Sequence, residues 1–177
     1  MAVFDLDRFI VECRTAMSLD PTDKSIREIV AREVSDPTAV IAGLGAPTRA
    51  EVQKLYHSPE LTVLNVVWGA GMTIMPHNHL MWAVIGIYTG REDNIFWRRL
   101  PEGNGCRIEA AGAKSLGAGD VEPLGRDIIH TVNQSASAVD GRHPRLRRRF
   151  FCRGAQRMGS GNLAGTAVRY GKEPANV

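Results

Sequence analysis

Cysteine is scarce in this 177-residue chain, and Cys13, Cys106 and Cys152 show no C-x-x-C spacing. An odd, scattered set excludes a disulfide scaffold and a thiolate zinc site, and it suits a reducing compartment. Long apolar runs are missing as well: no window nears the roughly 18 apolar residues that a membrane-crossing helix needs. The first residues, MAVFDLDRFIVE, carry acids where a secretory leader carries bases, so a cytoplasmic chain is expected. The length suits one domain with a sizeable core.

Acidic residues are nearly absent from the last part of the chain. Residues 141–177 hold 9 Lys and Arg against 1 acid, a net +8, whereas residues 1–140 hold 13 against 18, a net −5. The overall charge of +3 therefore belongs to the tail alone. Arg142, Arg145, Arg147, Arg148, Arg149 and Arg153 could bind phosphate backbones by releasing counterions. No reading helix or stacking platform accompanies them, so salt-sensitive adhesion is expected and no specific nucleic-acid partner. The Gly-rich run GSGNLAG at 159–165 follows no clear strand and reads as structural, not as a phosphate loop.

What is present changes character along the chain. Phe4, Leu6, Phe9, Ile10, Cys13 and Met17 recur near helical spacing, as do Ile26, Ile29, Val30 and Val34. A third, short helix is expected over Thr48–Tyr56, ending before Pro59. From Leu61 onward the runs LTVLNVVW, TIMPHNH, MWAVIGIYT, DNIFWRRL, CRIEAAG, DVEPL and DIIHTVN, punctuated by glycine, read as strands. Many short strands at near-regular spacing predict an all-β sandwich or barrel behind a helical extension. The expected organisation is a helical extension over 1–58, a barrel over 59–140 and a poorly ordered, arginine-rich tail over 141–177.

Chemistry concentrates in GMTIMPHNHLMWAVIGIYTG, residues 71–90. His77 and His79 stand two apart, and residues two apart on a strand share a face. His130, in the run DIIHTVN, completes a candidate set of three metal ligands, leaving positions on the ion for substrate, water or dioxygen. Tyr88 and Trp82 are candidates for the wall of the substrate pocket, the core being the alternative place for them. His57 and His143 read as surface groups, and Arg91, Glu92 and Asp93 as a solvated turn. No residue is assigned as catalytic acid, base or nucleophile.

This pattern resembles a cupin, the small double-stranded β-helix barrel. Gly71, His77, His79 and Gly90 fit the spacing of the first cupin motif, with Ala83 where its glutamate stands. Gly117, Pro123 and Gly125 fit the second motif, while His130 comes two residues late and Asn133 one early. With three histidines and no carboxylate, the chain is similar to the cysteine dioxygenase type of thiol dioxygenase. It is closer still to a bacterial group of cysteine dioxygenase-like, metal-dependent cupins that carries MWAVIGIY followed by GREDN-FW, present here at Met81–Trp97. The resemblance covers roughly residues 45 to 134. It implies Fe(II), another divalent transition metal being possible, held by His77, His79 and His130, with a small thiol and dioxygen as partners and a sulfinate as product. The arginine that holds the substrate carboxylate in the animal enzymes has no counterpart at His57 or Ser58, and Val84 stands where some members carry a cross-linking cysteine. The identity of the thiol stays open, as does a non-catalytic metal- or ligand-binding cupin; a nucleic-acid binder acting through its arginines is a third reading.

The tail departs from the family. Codons for residues 143–151, read from their second base, can encode IHVYGGDFF, the strand with which the family continues, and Arg157-Met158-Gly159 then forces a tryptophan. The tail is accordingly expected to be frameshifted, with the slip near Gln134 to Ala138.

Overall fold

The computed structural model describes residues 3–20, 22–101, 107–134 and 147–154, the last as backbone plus the Cys152 side chain. Three helices come first: α1 (Leu6–Leu19), α2 (Lys24–Val34) and α3 (Pro37–Leu44). Asp5 caps α1 by accepting from the Arg8 amide at 3.0 Å, and Asp36 caps α3 by accepting from Ala39 at 3.0 Å, with Pro37 in the first turn. Such acceptors satisfy amides that have no partner inside the helix. Among the described residues nine strands follow: β1 (Glu51–His57), β2 (Leu61–Trp68), β3 (Thr73–His77), β4 (Ala83–Thr89), β5 (Arg91–Arg99), β6 (Ile108–Gly117), β7 (Val121–Leu124), β8 (Ile129–Asn133) and β9 (Arg147–Gly154).

The strands form two antiparallel sheets, ordered β1-β2-β9-β4-β7 and β3-β8-β5-β6. Their pairing is nested: β5 with β6, β4 with β7, β3 with β8 and β2 with β9. One long antiparallel ribbon is thus folded back on itself and wound between two facing sheets, which is the double-stranded β-helix of a cupin-type barrel. The all-β architecture with an N-terminal helical extension agrees with the expectation from sequence.

Two apolar clusters make three layers. Between the sheets lie Val66, Trp68, Ala83, Ile85, Ile87, Leu116, Leu124 and Val132. On the other face of the five-stranded sheet, Val63, Val84, Tyr88 and Cys152 pack against Phe9, Cys13, Ile26, Val30 and Val34 of the helices. Strands β2 and β4 are therefore covered on both faces, which is why LTVLNVVW and AVIGIYT are apolar almost without alternation. The helical layer is also tied electrostatically: buried Glu33 on α2 meets Arg8 of α1 at 3.3 Å and Arg32 at 2.8 Å. A buried carboxylate without such cations would be costly. Cys13 and Cys152 touch between α1 and β9, and this hydrogen bond, together with burial, pushes the Cys152 thiol well above its usual range. The Cys152 thiol is held in its neutral, unreactive form there.

Three boundaries differ from the sequence reading. Residues 48–56, expected as a helix, hold β1, paired with β2 from Glu51↔Val67 to His57↔Thr62. Edge pairing overrides the local helical pattern, and alternate residues of β1 turn toward solvent. The barrel thus begins inside the 1–58 segment. Residues 147–154, assigned to the tail, form β9 in the middle of the five-stranded sheet, pairing with β2 on one side and β4 on the other. The gap between β2 and β4 supplies two ladders of backbone partners to any chain that enters it. Arg142, His143, Arg145, all but the first residue of the assumed slip at Gln134 to Ala138, and the remainder of the tail from 155 lie outside the described residues.

Gly86 shows how closely the layers meet. A Cβ there would stand 2.4 Å from Val30 Cγ1 and 2.8 Å from Val34 Cγ1, both on stiff, β-branched side chains. Gly86→Ala is expected to destabilise the fold by about 1–3 kcal/mol, as overpacking does. Urea or thermal unfolding checks this, and an unchanged midpoint would mean that α2 does not press on β4 as described.

Candidate metal centre

His77 closes β3, directly opposite His130 on β8. A register irregularity between Ile74 and His77 re-aims the strand end, a common use of bulges beside functional sites. His79 lies beyond the strand, in the segment leading to β4. The chain there passes through Leu80 at φ 56°, a left-handed conformation that is rare and strained for a side chain of this size. The shared-face argument for a strand thus holds for His77, whereas a turn delivers His79.

The three rings converge. Their centroids are 5.0 Å (His77–His79), 4.6 Å (His77–His130) and 5.2 Å (His79–His130) apart. One nitrogen from each lies within 4.8 Å of the others. Nitrogens sharing an ion at about 2.0–2.1 Å stand about 3.0–3.4 Å apart. His79 Nε2 and His130 Nε2 already meet this, at 3.1 Å. With the three ligand atoms this close together, the group could hold a metal ion.

Hydrogen bonds decide which nitrogens are available. His77 Nδ1 lies 2.9 Å from the Met75 carbonyl and His130 Nδ1 lies 2.8 Å from Asn94 Oδ1. Both partners accept, so both Nδ1 atoms carry the proton and both Nε2 atoms present a lone pair. Across the 3.1 Å contact, His79 Nε2–H then donates to His130, and a metal ion would take that proton's place. Asn94 in turn donates from Nδ2 to Glu92 Oε1 at 3.1 Å. Glu92, Asn94 and Phe96 alternate on the inward face of β5, with Glu92 1% and Asn94 2% exposed.

This corrects the reading of residues 91–93 as a solvated turn. The turn is Gly90, at φ 79°, and β5 starts at Arg91. Arg91 and Asp93 do pair on the exposed face, at 2.8 Å, but strand alternation carries Glu92 inside. Counting period two back from Phe96 would have found it.

Tyr88 and Trp82, the pocket candidates, are placed elsewhere. Tyr88 is 1% exposed and sits in the cluster facing the helices, where its hydroxyl donates to Asn65 Oδ1 at 2.7 Å. Trp82 packs against the same cluster. Tyr88 lies on the opposite face of β4 from Ala83, which points into the cluster between the sheets, and Trp82 immediately precedes the strand. Ala83, at the motif's glutamate position, offers no ligand atom. His57 is bonded to Thr62 Oγ1 at 2.9 Å on β1, outside the histidine group. Near the ligands in sequence, Met75, Leu80 and Ile128 are exposed and apolar.

The chain matches no protein-family model and no curated protein. Among solved structures it is similar to an RmlC-like cupin family protein with a double-stranded β-helix fold from Methanocaldococcus jannaschii, with TM-score 0.47, 10% identity, and coverage of 62% of this chain and 83% of that one. It is also similar to a cupin superfamily protein from Desulfitobacterium hafniense, with TM-score 0.46, 9% identity, and coverage of 68% and 87%. A third is the DMSP lyase DddQ from Ruegeria pomeroyi, with TM-score 0.45, 15% identity, and coverage of 64% and 50%.

Tyr88→Phe separates core from site. It leaves a buried Asn65 acceptor short of a donor, so stability is expected to fall by about 1–3 kcal/mol. Metal stoichiometry should not change; a variant that loses its metal would return Tyr88 to the site.

Proposed function

We propose that the protein is a mononuclear non-haem iron thiol dioxygenase of the cysteine dioxygenase type. It would oxidise a small thiol to a sulfinate, with His77, His79 and His130 as the ligands. The observation that carries this reading is a donor set of three neutral imidazoles with Ala83 in place of a carboxylate. Fe(II) held there keeps its full charge, which favours a thiolate ligand and supplies the electrons that activate dioxygen.

The chain's own residues contribute position and access. His130 is buried, while His77 and His79 are half-buried, so a substrate enters from their side. Exposed Met75, Leu80 and Ile128, near the ligands in sequence, offer apolar surface suited to the carbon skeleton of a small thiol. Substrate and dioxygen held as neighbours react as preorganised partners. The overall step balances without an external reductant: the thiol sulfur is oxidised, dioxygen is reduced, and both oxygen atoms end on sulfur.

The test is anaerobic Fe(II) titration of the purified chain, then oxygen uptake on a panel of small thiols. Expected are one iron per chain, uptake that requires a thiol, and a product heavier by two oxygen atoms. His77→Ala, His79→Ala and His130→Ala should each abolish stoichiometric binding. Iron binding without thiol-dependent uptake would favour a non-catalytic, ligand-binding cupin instead.

The frameshifted origin of the tail is a separate proposal and rests on codons alone. Sequencing the gene across codons 130 to 145 is expected to reveal a slip relative to closely related genes; an uninterrupted common frame would refute it.

A further inference from the structure

We infer that Glu92 sets the tautomer of His130 through Asn94, making Glu92 and Asn94 positioning residues for the metal centre. The inference rests on the reading of His130 as a ligand and adds a residue to it that touches neither metal nor substrate.

A side-chain amide has an acceptor end and a donor end of nearly the same shape. With Oδ1 toward His130, Asn94 takes the Nδ1 proton and leaves Nε2 bare. Turned over, its Nδ2 would face Nδ1 and force the proton onto Nε2, which could then bind no ion. His130 alone cannot choose, because the ring adapts to either end. The choice falls to the other side of Asn94, where Nδ2 lies 3.1 Å from Glu92 Oε1. Glu92 Oε1 accepts there, and an accepting carboxyl oxygen selects the NH₂ group, which turns Oδ1 to the 2.8 Å contact with His130 Nδ1.

Burial makes this choice firm. Glu92, Asn94 and His130 are 1%, 2% and 0% exposed, so little water is at hand to satisfy the wrong arrangement. The backbone is firm as well: β5 and β8 pair along five residues, with Phe96 opposite His130 and Asn94 opposite Val132. Asn94 is thus the diagonal neighbour of His130 on the inward face, within reach of a side chain. His77 takes its tautomer from a backbone carbonyl, which cannot turn over. His130 depends on a side chain that can, and Glu92 removes that freedom.

Nitrogen NMR of the metal-free protein, with labelled histidine and at a pH above the imidazole range, reads the tautomer directly. The wild type is expected to show His130 protonated at Nδ1. In Glu92→Leu the ring should shift toward the Nε2–H form, and Co(II) affinity should fall about 10- to 100-fold, as for other outer partners of metal ligands. The exchange Glu92→Gln with Asn94→Asp should restore both, since a glutamine can donate to an aspartate whose second oxygen accepts from His130. If Glu92→Leu fails to fold, the shape-preserving Glu92→Gln carries the test: its amide no longer dictates the turn, and a mixture of tautomers is expected. A wild type protonated at Nε2, or a Glu92 variant that keeps wild-type tautomer and affinity, overturns the inference. A wild type with the expected tautomer that binds no Co(II) would sink the metal reading and leave the role of Glu92 standing.

Discussion

The antiparallel register of β3 against β8 is the constraint on which the rest depends. It sets His77 opposite His130 and lets the turn at Leu80 bring His79 to the same place. A slip of one residue would send one imidazole to the other face of its sheet, and the group would no longer converge. The nested ladders hold that register, because β8 is also paired with β5. β8 is thus fixed from both sides, by β3 and by β5.

The barrel gives this constraint its environment. Val132 and Ala83 belong to the cluster between the sheets, and His130 lies on the same inward-facing strand pair. The polar groups admitted there are paired with one another, His130 to Asn94 and Asn94 to Glu92. Buried polar groups are tolerated when their partners are built in. The helices play a different part. They cover the outer face of the five-stranded sheet, absorb Tyr88 and Trp82, and free the inner face for chemistry.

Much of this was legible in the chain. Runs at period two and uninterrupted apolar runs, bounded by glycine, located β2 to β8 to within a few residues, and the first two helical repeats located α1 and α2. The spacing of His77 and His79, with His130 in a second strand-like run, singled out the three residues that converge. Where sequence reasoning missed, long-range pairing was the reason. β1 reads as helix locally and becomes a strand only because the edge of β2 is there to pair with. β9 hides within an arginine-rich run and fills the space between β2 and β4.

Sequence alone determined much of the strand alternation and the identity of the three histidines that converge, since these depend on side-chain chemistry and on near neighbours. Tertiary structure decided which face of each strand is the inside. That decision moved Tyr88 and Trp82 away from the metal centre and brought Glu92 and Asn94 toward it. A strand's two faces are equivalent until another layer packs on one of them, and only the folded barrel, with helices outside and a second sheet inside, breaks that equivalence.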